Sequence, residues 1–312
     1  MADNEDFTNR IEWRELPRSA RNAVERRLGS TIRSATTQKG GFSHGVAARL
    51  ELSDGRTVFA KAIDNDDALV TMYRTEAETA ARLPRTVPAP AVQASINTAG
   101  WLITIFDDVE GRHPRLEQPI ELAAVLAVVE RLAELLTPSP LPDAPTIADE
   151  YGPELIAWRQ FAEHGPPSDL DEWSLRHLDR LAELETMWCE AAAGETLLHT
   201  DLRPDNMLLR SDGSVVVVDW AWPCRGATWV DLVSLAPSIA ASVIDPDPIL
   251  ATHPTTRDTD PAAISAFVCA LTGYWERNSR RPALPRSPKL RRYQAHAAYV
   301  STEWLSRRLG WQ

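Results

Sequence analysis

The sequence is 312 residues long, with a net charge of -11, 44% hydrophobic residues and 25% charged residues. This length suits two packed lobes better than one core, and the composition is typical of a globular protein and excludes disorder throughout. The acidic balance provides no basic stripe to neutralise phosphates, so we expect no nucleic-acid partner. The three cysteines, Cys189, Cys224 and Cys269, are widely spaced and predict neither a disulfide framework nor a zinc site.

The first six residues are polar and acidic, which is not the pattern of a secretory signal. No apolar run approaches the roughly 18 residues that a membrane helix needs. We therefore expect a cytoplasmic protein without a membrane partner. Three of the 33 basic residues are lysines, Lys39, Lys61 and Lys289, which makes each of them a candidate for a specific role.

The first third of the sequence predicts a β-rich lobe. Asp54-Gly55 lies between two alternating apolar segments, which is a strong hairpin signal. A further strand is expected after Thr31, which gives five strands with one main helix. The other predicted elements are helices at Pro17–Leu28 and Asp67–Leu83, hairpin strands at Val46–Leu52 and Thr57–Ile63, and strands at Ala91–Ile96 and Trp101–Phe106.

Helical periodicity dominates after a polar connector that follows Phe106. The Pro-rich segment 137–145 is expected to be a loop. The predicted fold class is therefore α+β, with an N-terminal lobe at 1–106, a hinge at 107–114 and a mostly helical C-terminal lobe at 115–312. The predicted helices are Leu116–Leu136, Glu154–Glu163, Leu170–Ala193, Thr228–Ser242, Ala262–Tyr274 and Leu290–Leu309.

The most informative segment is His-Thr-Asp-Leu-Arg-Pro-Asp-Asn at 199–206, followed by an Asp-Gly turn, four valines and Asp219. The kinase signature places an Asp two residues after a His, an Asn five residues later, and a second Asp after the next strand. His199, Asp201, Asn206 and Asp219 have this spacing. Phosphoryl transfer depends on holding the hydroxyl, the phosphates and the metal in line, which such a loop can do.

With this segment the chain resembles the aminoglycoside phosphotransferase and choline kinase family, small-molecule kinases that share the protein-kinase-like fold. The resemblance implies a two-lobed fold and transfer of phosphate to a small-molecule alcohol, with ATP, or alternatively GTP, and Mg²⁺ as cofactors. Under it, Asp201 is the candidate base and Arg203 a cation for the transferring phosphate. Asn206 and Asp219 are the candidate Mg²⁺ ligands, because Mg²⁺ prefers oxygen donors.

The nucleotide-binding candidates lie in the N-terminal lobe. Gly40–Gly45 is a glycine-rich strand-loop-strand in which Gly41, Ser43 and Gly45 are placed to cover phosphates, although any hairpin can use such glycines. Lys61 lies within an apolar strand and needs a partner if it is buried. It is expected to hold the α- and β-phosphates and to pair with Glu76, with Glu78 as the alternative; the other reading is an outward-facing strand residue.

The resemblance also implies roles for residues around these candidates. The segment 103–111, which overlaps the hinge and includes Asp107, is expected to contact adenine through its backbone. His199 and Asp231 are expected to brace the catalytic loop. Thr200 stands where the family usually has a glycine, and Trp220 follows the metal-site Asp, as is common in small-molecule kinases.

Three functions are compatible with the sequence. The first is a kinase for an aminoglycoside or another hydroxylated antibiotic, and the second is a kinase for a primary metabolite such as choline or homoserine. The third is a catalytically silent nucleotide-binding scaffold. A protein kinase is disfavoured because helix signals resume soon after Asp219 and no Ala-Pro-Glu anchor follows it. Asp149, Glu150 and Glu154 are candidates for binding a cationic antibiotic, or form a solvated helix face.

Overall fold

A computed structural model describes residues 10–38 and 40–312. Lys39 and the N-terminal residues on which the signal-peptide expectation rests lie outside the described residues. Two compact units are present. The first comprises the chain up to His113 with Asp205–Trp222 and Ala283–Leu290, and the second comprises Pro114–Pro204, Pro223–Pro282 and Arg291–Gln312. The proposed lobe and hinge boundaries stay a prediction.

An antiparallel five-stranded sheet forms the frame of the first unit, with strand order β1-β2-β3-β5-β4. The predicted hairpin is confirmed, because β2 and β3 pair across a turn in which Gly55 has a φ of 89°. This unit also contains the β7–β8 hairpin. The described strands of both units, in chain order, are β1 Ile32–Thr37, β2 Val46–Leu52, β3 Thr57–Asp64, β4 Val92–Thr98, β5 Trp101–Asp107, β6 Thr196–Leu198, β7 Met207–Leu209, β8 Val215–Val217 and β9 Cys224–Gly226.

Two helices pack on the sheet of the first unit, α1 Arg18–Leu28 and α2 Val70–Arg82. The predicted stop of α1 is confirmed, since Gly29 has a φ of 68° and caps the helix in the left-handed conformation. Helix α2 begins later than predicted because the Asp67 carboxylate accepts the N–H of Leu69 in a turn. Core side chains of this unit include Ala20 and Val24 of α1, Leu50 of β2 and Ile105 of β5, together with Trp13, which precedes α1.

The second unit is mostly helical, with a short antiparallel pairing of β6 and β9. The α+β fold class is therefore confirmed. No helix in the described part of the chain is long and apolar enough to cross a membrane. The α-helices of the second unit are α3 Pro119–Leu135, α4 Ile147–Tyr151, α5 Ala157–His164, α6 Glu172–Arg176, α7 Leu178–Glu185, α8 Trp188–Ala191, α9 Val230–Ala241, α10 Asp247–Thr252, α11 Pro261–Ser279 and α12 Leu290–Leu309.

The predicted helix Leu170–Ala193 is wrong as one element, because this segment forms the three short helices α6, α7 and α8. Helix α7 ends after Glu185, whose fully buried carboxylate accepts the N–H groups of Trp158 and Arg159. Tertiary hydrogen bonds are therefore present at the end of α7, and the spacing of apolar residues cannot predict them. Elements α4, α10, β6 and β9 are too short for periodicity to reveal.

Helix α11 packs closely on α5 at Gly273. A Cβ atom on Gly273 would lie 2.7 Å from Nε1 of Trp158, a fully buried side chain. The same Nε1 donates a hydrogen bond of 2.8 Å to the Cys269 carbonyl of α11, which fixes the indole in place. Gly273 is therefore required by packing.

We expect Gly273→Ala to destabilise the protein by roughly 1–3 kcal/mol, because overpacking outweighs the helix propensity gained. Urea unfolding followed by circular dichroism measures the change. Ala262→Ser, which adds one heavy atom at an exposed position of the same helix, should stay within about 0.5 kcal/mol of the parent. Equal or higher stability of Gly273→Ala would show that Trp158 is free to move aside.

Candidate functional site

A lysine between two carboxylates forms the centre of the candidate site in the first unit. The Lys61 Nζ lies 2.6 Å from Glu76 Oε1 and 3.0 Å from Asp219 Oδ1. The side chains of Lys61 and Glu76 are 16% and 6% exposed, whereas Asp219 is 38% exposed. The expected partner on the following helix is thus Glu76, and Glu78 is exposed. The role of Lys61 in phosphate binding stays a prediction.

Burial and charge act against each other in this cluster. Burial lowers the pKa of Lys61, but the carboxylates of Asp219 and Glu76 outweigh it, so the net pKa lies above the ordinary value. Burial raises the pKa of Glu76 above its ordinary value, and the attraction of Lys61 only partly offsets this shift. Lys61 is therefore held as a cation.

The predicted glycine-rich loop is held by two side chains that the sequence did not single out. Arg10 donates hydrogen bonds to the carbonyl of Gly40 at 2.6 Å and to Ser43 Oγ at 3.3 Å. The Tyr73 hydroxyl donates to the same Ser43 Oγ at 3.1 Å. These contacts have sequence separations of about thirty residues, for which no local pattern exists.

Two glycines in this loop have structural explanations. Gly41 has a φ of 69°, a conformation that favours glycine. At Gly45 a Cβ atom would lie 2.5 Å from both the Ala62 carbonyl and the Tyr73 hydroxyl. Close packing on β3 therefore requires Gly45. The phosphate-binding roles proposed for Gly41, Ser43 and Gly45 stay predictions.

Asp107 is the last residue of β5 and is exposed. Its N–H donates to the Ala91 carbonyl at 2.8 Å, and its carboxylate accepts from Gln93 at 2.8 Å. The N–H is thus used within the protein. The expected backbone contact of the hinge with a nucleotide base stays a prediction.

The two candidate metal ligands lie at the two ends of the β7–β8 hairpin, with Asn206 directly before β7 and Asp219 shortly after β8. Val218 N–H donates to the Asn206 carbonyl at 2.9 Å, so the residue before Asp219 is tied to Asn206. Asp219 has a φ of 68°, and the buried Trp220 donates to the Val217 carbonyl at 3.2 Å. The amide and carboxylate oxygens of this pair are the donors that Mg²⁺ accepts. The described residues contain no cluster of three or more His, Cys, Asp or Glu suited to a metal.

In the second unit a buried carboxylate fixes the backbone of the predicted catalytic loop. Asp231, near the start of α9, accepts the N–H groups of His199 at 2.9 Å and Thr200 at 2.8 Å. The fully buried His199 accepts the N–H of Asp201 at 3.3 Å. Burial raises the pKa of Asp231, with the nearby His199 and the two N–H groups opposing the shift. The expected bracing by His199 and Asp231 is confirmed.

Thr200, next to Asp201, has an unusual backbone conformation. Its φ is 64°, in the left-handed region where a residue other than glycine costs roughly 1–2 kcal/mol. Thr200 Oγ1 lies 2.7 Å from the Tyr151 hydroxyl, a contact with no sequence signal. The position therefore has the conformation expected for the glycine that the resemblance implies there.

Arg203 and Asp201 lie together in the second unit. The Arg203 Nε is 3.3 Å from Asp201 Oδ1, and the guanidinium carbon is 5.0 Å from the centroid of the Tyr293 ring. A guanidinium at this distance from a ring face is attracted electrostatically. Arg203 thus places a positive charge beside the candidate base, and the catalytic roles of both residues stay predictions.

Two of the three acids considered for a cationic substrate, Asp149 and Glu154, have other partners in the second unit. Glu154 Oε2 lies 2.6 Å from Arg277, and Asp149 closes a capping box with Thr146 at the start of α4. Glu154 is therefore paired with an arginine, and Asp149 serves helix capping.

Comparison with known proteins identifies the family of the chain. A profile of the phosphotransferase enzyme family matches residues 41–266 of the chain. No curated protein matches the chain at the level of sequence.

Solved structures show the same fold at low sequence identity. A thermostable mutant of the aminoglycoside phosphotransferase APH(4)-Ia, in a ternary complex with ADP and hygromycin B, superposes with a TM-score of 0.59 and 13% identity, covering 93% of this chain and 97% of that chain. The choline kinase LicA from Streptococcus pneumoniae gives a TM-score of 0.59 at 12% identity, with 92% and 98% coverage. An aminoglycoside phosphotransferase from Alicyclobacillus acidocaldarius gives 0.56 at 14%, with 89% and 92% coverage. Because the family profile covers more than half of its length, the chain belongs to the phosphotransferase enzyme family.

Proposed function

We propose that the protein transfers the γ-phosphate of ATP, or alternatively of GTP, to a hydroxyl group of a small molecule in the cytoplasm. The Lys61–Glu76–Asp219 cluster carries this proposal, because a buried cation held by two carboxylates is a fixed point charge for nucleotide phosphates. Neighbours solved with ADP and GDP support nucleotide binding.

The nucleotide would be held by residues of the first unit. Lys61 would contact its phosphates, Gly41, Ser43 and Gly45 would cover them through backbone and hydroxyl groups, and Asp107 would lie at the adenine. The constrained loop suits this role, because Arg10 and Tyr73 reduce the freedom that binding would otherwise remove.

Asn206 and Asp219 would hold Mg²⁺, which neutralises charge on the phosphates during transfer. Asp201 would accept the hydroxyl proton of the acceptor, and its backbone is fixed through His199 and Asp231. Arg203 would stabilise negative charge on the transferring phosphoryl group.

The acceptor is proposed from the neighbours. Hygromycin B and kanamycin in two of their structures favour a hydroxylated antibiotic, and the choline kinase favours a metabolite alcohol such as choline or homoserine. The pairing of Glu154 with Arg277 and the capping role of Asp149 give no added support to a cationic acceptor. A silent scaffold is disfavoured because Lys61, Asp201, Asn206 and Asp219 are all present.

Glu76→Gln should lower kcat/KM for ATP on the order of 100-fold, because Lys61 loses its buried anionic partner. Glu78→Gln is the matched control, since the same change occurs on the exposed face of the same helix, and it should leave turnover unchanged. ADP release measured across ATP concentrations gives kcat/KM for the parent and for each variant. Equal effects of the two changes would show that Glu76 is not required to hold Lys61 for nucleotide turnover.

Asp201→Asn should reduce kcat by roughly 10²- to 10⁴-fold, because a general base is lost while the size of the side chain is kept. Turnover is measured with aminoglycosides, nucleoside antibiotics, choline and homoserine as acceptors. Asp212→Asn, in the exposed β7–β8 turn, should behave as the parent. Phosphorylation unchanged in Asp201→Asn would exclude Asp201 as the base, and ATP binding without any turnover by the parent would favour the scaffold.

Removal of divalent metal with EDTA should abolish turnover, and Mg²⁺ should restore it. Asp219→Asn should then need at least about tenfold more Mg²⁺ for half-maximal rate, because it removes a charged oxygen ligand. The Mg²⁺ dependence of ADP release gives this value. Full activity in EDTA, or an unchanged Mg²⁺ requirement in the variant, would contradict the assignment of Asp219.

A further inference from the structure

A strained backbone position precedes the proposed catalytic base. Thr200 has a φ of 64°, which a β-branched residue rarely adopts and which glycine adopts freely. The orientation of Asp201 depends on this torsion because the two residues are consecutive. Some interaction must therefore keep Thr200 in its left-handed conformation.

Two sets of hydrogen bonds act on this position. The Asp231 carboxylate accepts the N–H groups of His199 and Thr200, and it would bind a glycine backbone in the same way. The contact of 2.7 Å between Tyr151 Oη and Thr200 Oγ1 requires a hydroxyl on the side chain. This second contact is thus specific to the residue that replaces glycine.

Tyr151 lies on a helix that is hydrogen-bonded to the strand pairing of the second unit. It ends α4, whose first residue, Ile147, is buried and whose start has a capping box at Thr146. Thr146 bridges to Arg225 of β9, which donates its N–H to the Pro145 carbonyl at 2.7 Å. Strand β9 pairs with β6, and His199 follows β6 directly. The tyrosine and the loop are therefore anchored to one frame.

The Tyr151 hydroxyl also stays protonated. Burial raises its pKa well above the ordinary value, and the hydrogen bond with Thr200 opposes this only in part. A neutral hydroxyl can donate to and accept from Thr200 over the whole working pH range.

We propose that Tyr151 is a positioning residue for Asp201, acting through the Thr200 hydroxyl: the pair Tyr151–Thr200 replaces the glycine that this loop conformation favours. The inference rests on the proposed function of Asp201. Tyr151 is not proposed to contact the acceptor.

The test is a double-mutant cycle in the full-length protein. Turnover is measured as ADP release from MgATP with water as the acceptor, so that the natural alcohol is not needed. Tyr151→Phe should lower kcat by roughly 10- to 100-fold with little change in KM for ATP, because Asp201 is displaced. Thr200→Val should have a similar effect, and the combined variant should lose little more.

Rescue by glycine distinguishes positioning from a general structural role. Thr200→Gly should retain turnover, and Tyr151→Phe should have an effect of less than about threefold in that background, because glycine needs no anchor. Tyr299→Phe, at an exposed position of α12, is the control and should match the parent. An equal loss from Tyr151→Phe in the parent and in the Thr200→Gly variant, or no loss in either, would overturn the proposal.

A readout independent of activity separates this proposal from the proposed function. The cycle is repeated on urea midpoints, where Tyr151→Phe should shift the midpoint in the threonine background and have a smaller shift with Thr200→Gly. Coupling in stability together with no phosphorylation of any alcohol in the acceptor panel by the parent would refute the proposed function and leave the Tyr151–Thr200 contact intact. Additive midpoints would refute the contact itself, whatever the activity.

Discussion

The burial of Lys61 between Glu76 and Asp219 is the interaction on which the first unit depends. Removing these charges from water is costly unless they pair closely, and deleting one partner of such a set is strongly destabilising. The three residues come from β3, from α2 and from the end of the β7–β8 hairpin, so the pairing fixes three separate segments. Glu76 lies on the buried face of α2 with Tyr73, Ala77 and Ala80, which explains why a carboxylate reaches the lysine.

In the second unit, hydrogen bonds from three backbone N–H groups fix the conformation of the loop that contains Asp201. The Asp231 carboxylate accepts two successive N–H groups, and His199 accepts a third from Asp201. Such bonds hold a loop at fixed torsions through its backbone and do not involve the side chain of Asp201. The strained torsion at Thr200 is consistent with this, since strain persists only where surrounding contacts determine it.

Much of this was predictable from sequence where the signal is local. Asp54-Gly55 and alternating strands identify the β2–β3 hairpin, and the apolar strand around Lys61 with the acids of the next helix predicts its pairing with Glu76. Kinase spacing predicts a catalytic role for the segment 199–219. Arg10, Tyr73 and Tyr151 were missed because each contacts residues 30 to 49 positions away. The predicted helix Leu170–Ala193 is broken in two places, and at the end of α7 the break coincides with tertiary hydrogen bonds of Glu185. Sequence pattern contains local periodicity and motif spacing, but not these contacts.

The proposed reaction moves the γ-phosphate of a nucleotide to an alcohol. The most direct test is ³¹P NMR of MgATP incubated with the protein and a pooled set of small-molecule alcohols. Our account predicts a new phosphate monoester resonance that grows in proportion to ADP. Formation of ADP with inorganic phosphate alone, or unchanged ATP in the presence of demonstrated nucleotide binding, would contradict it.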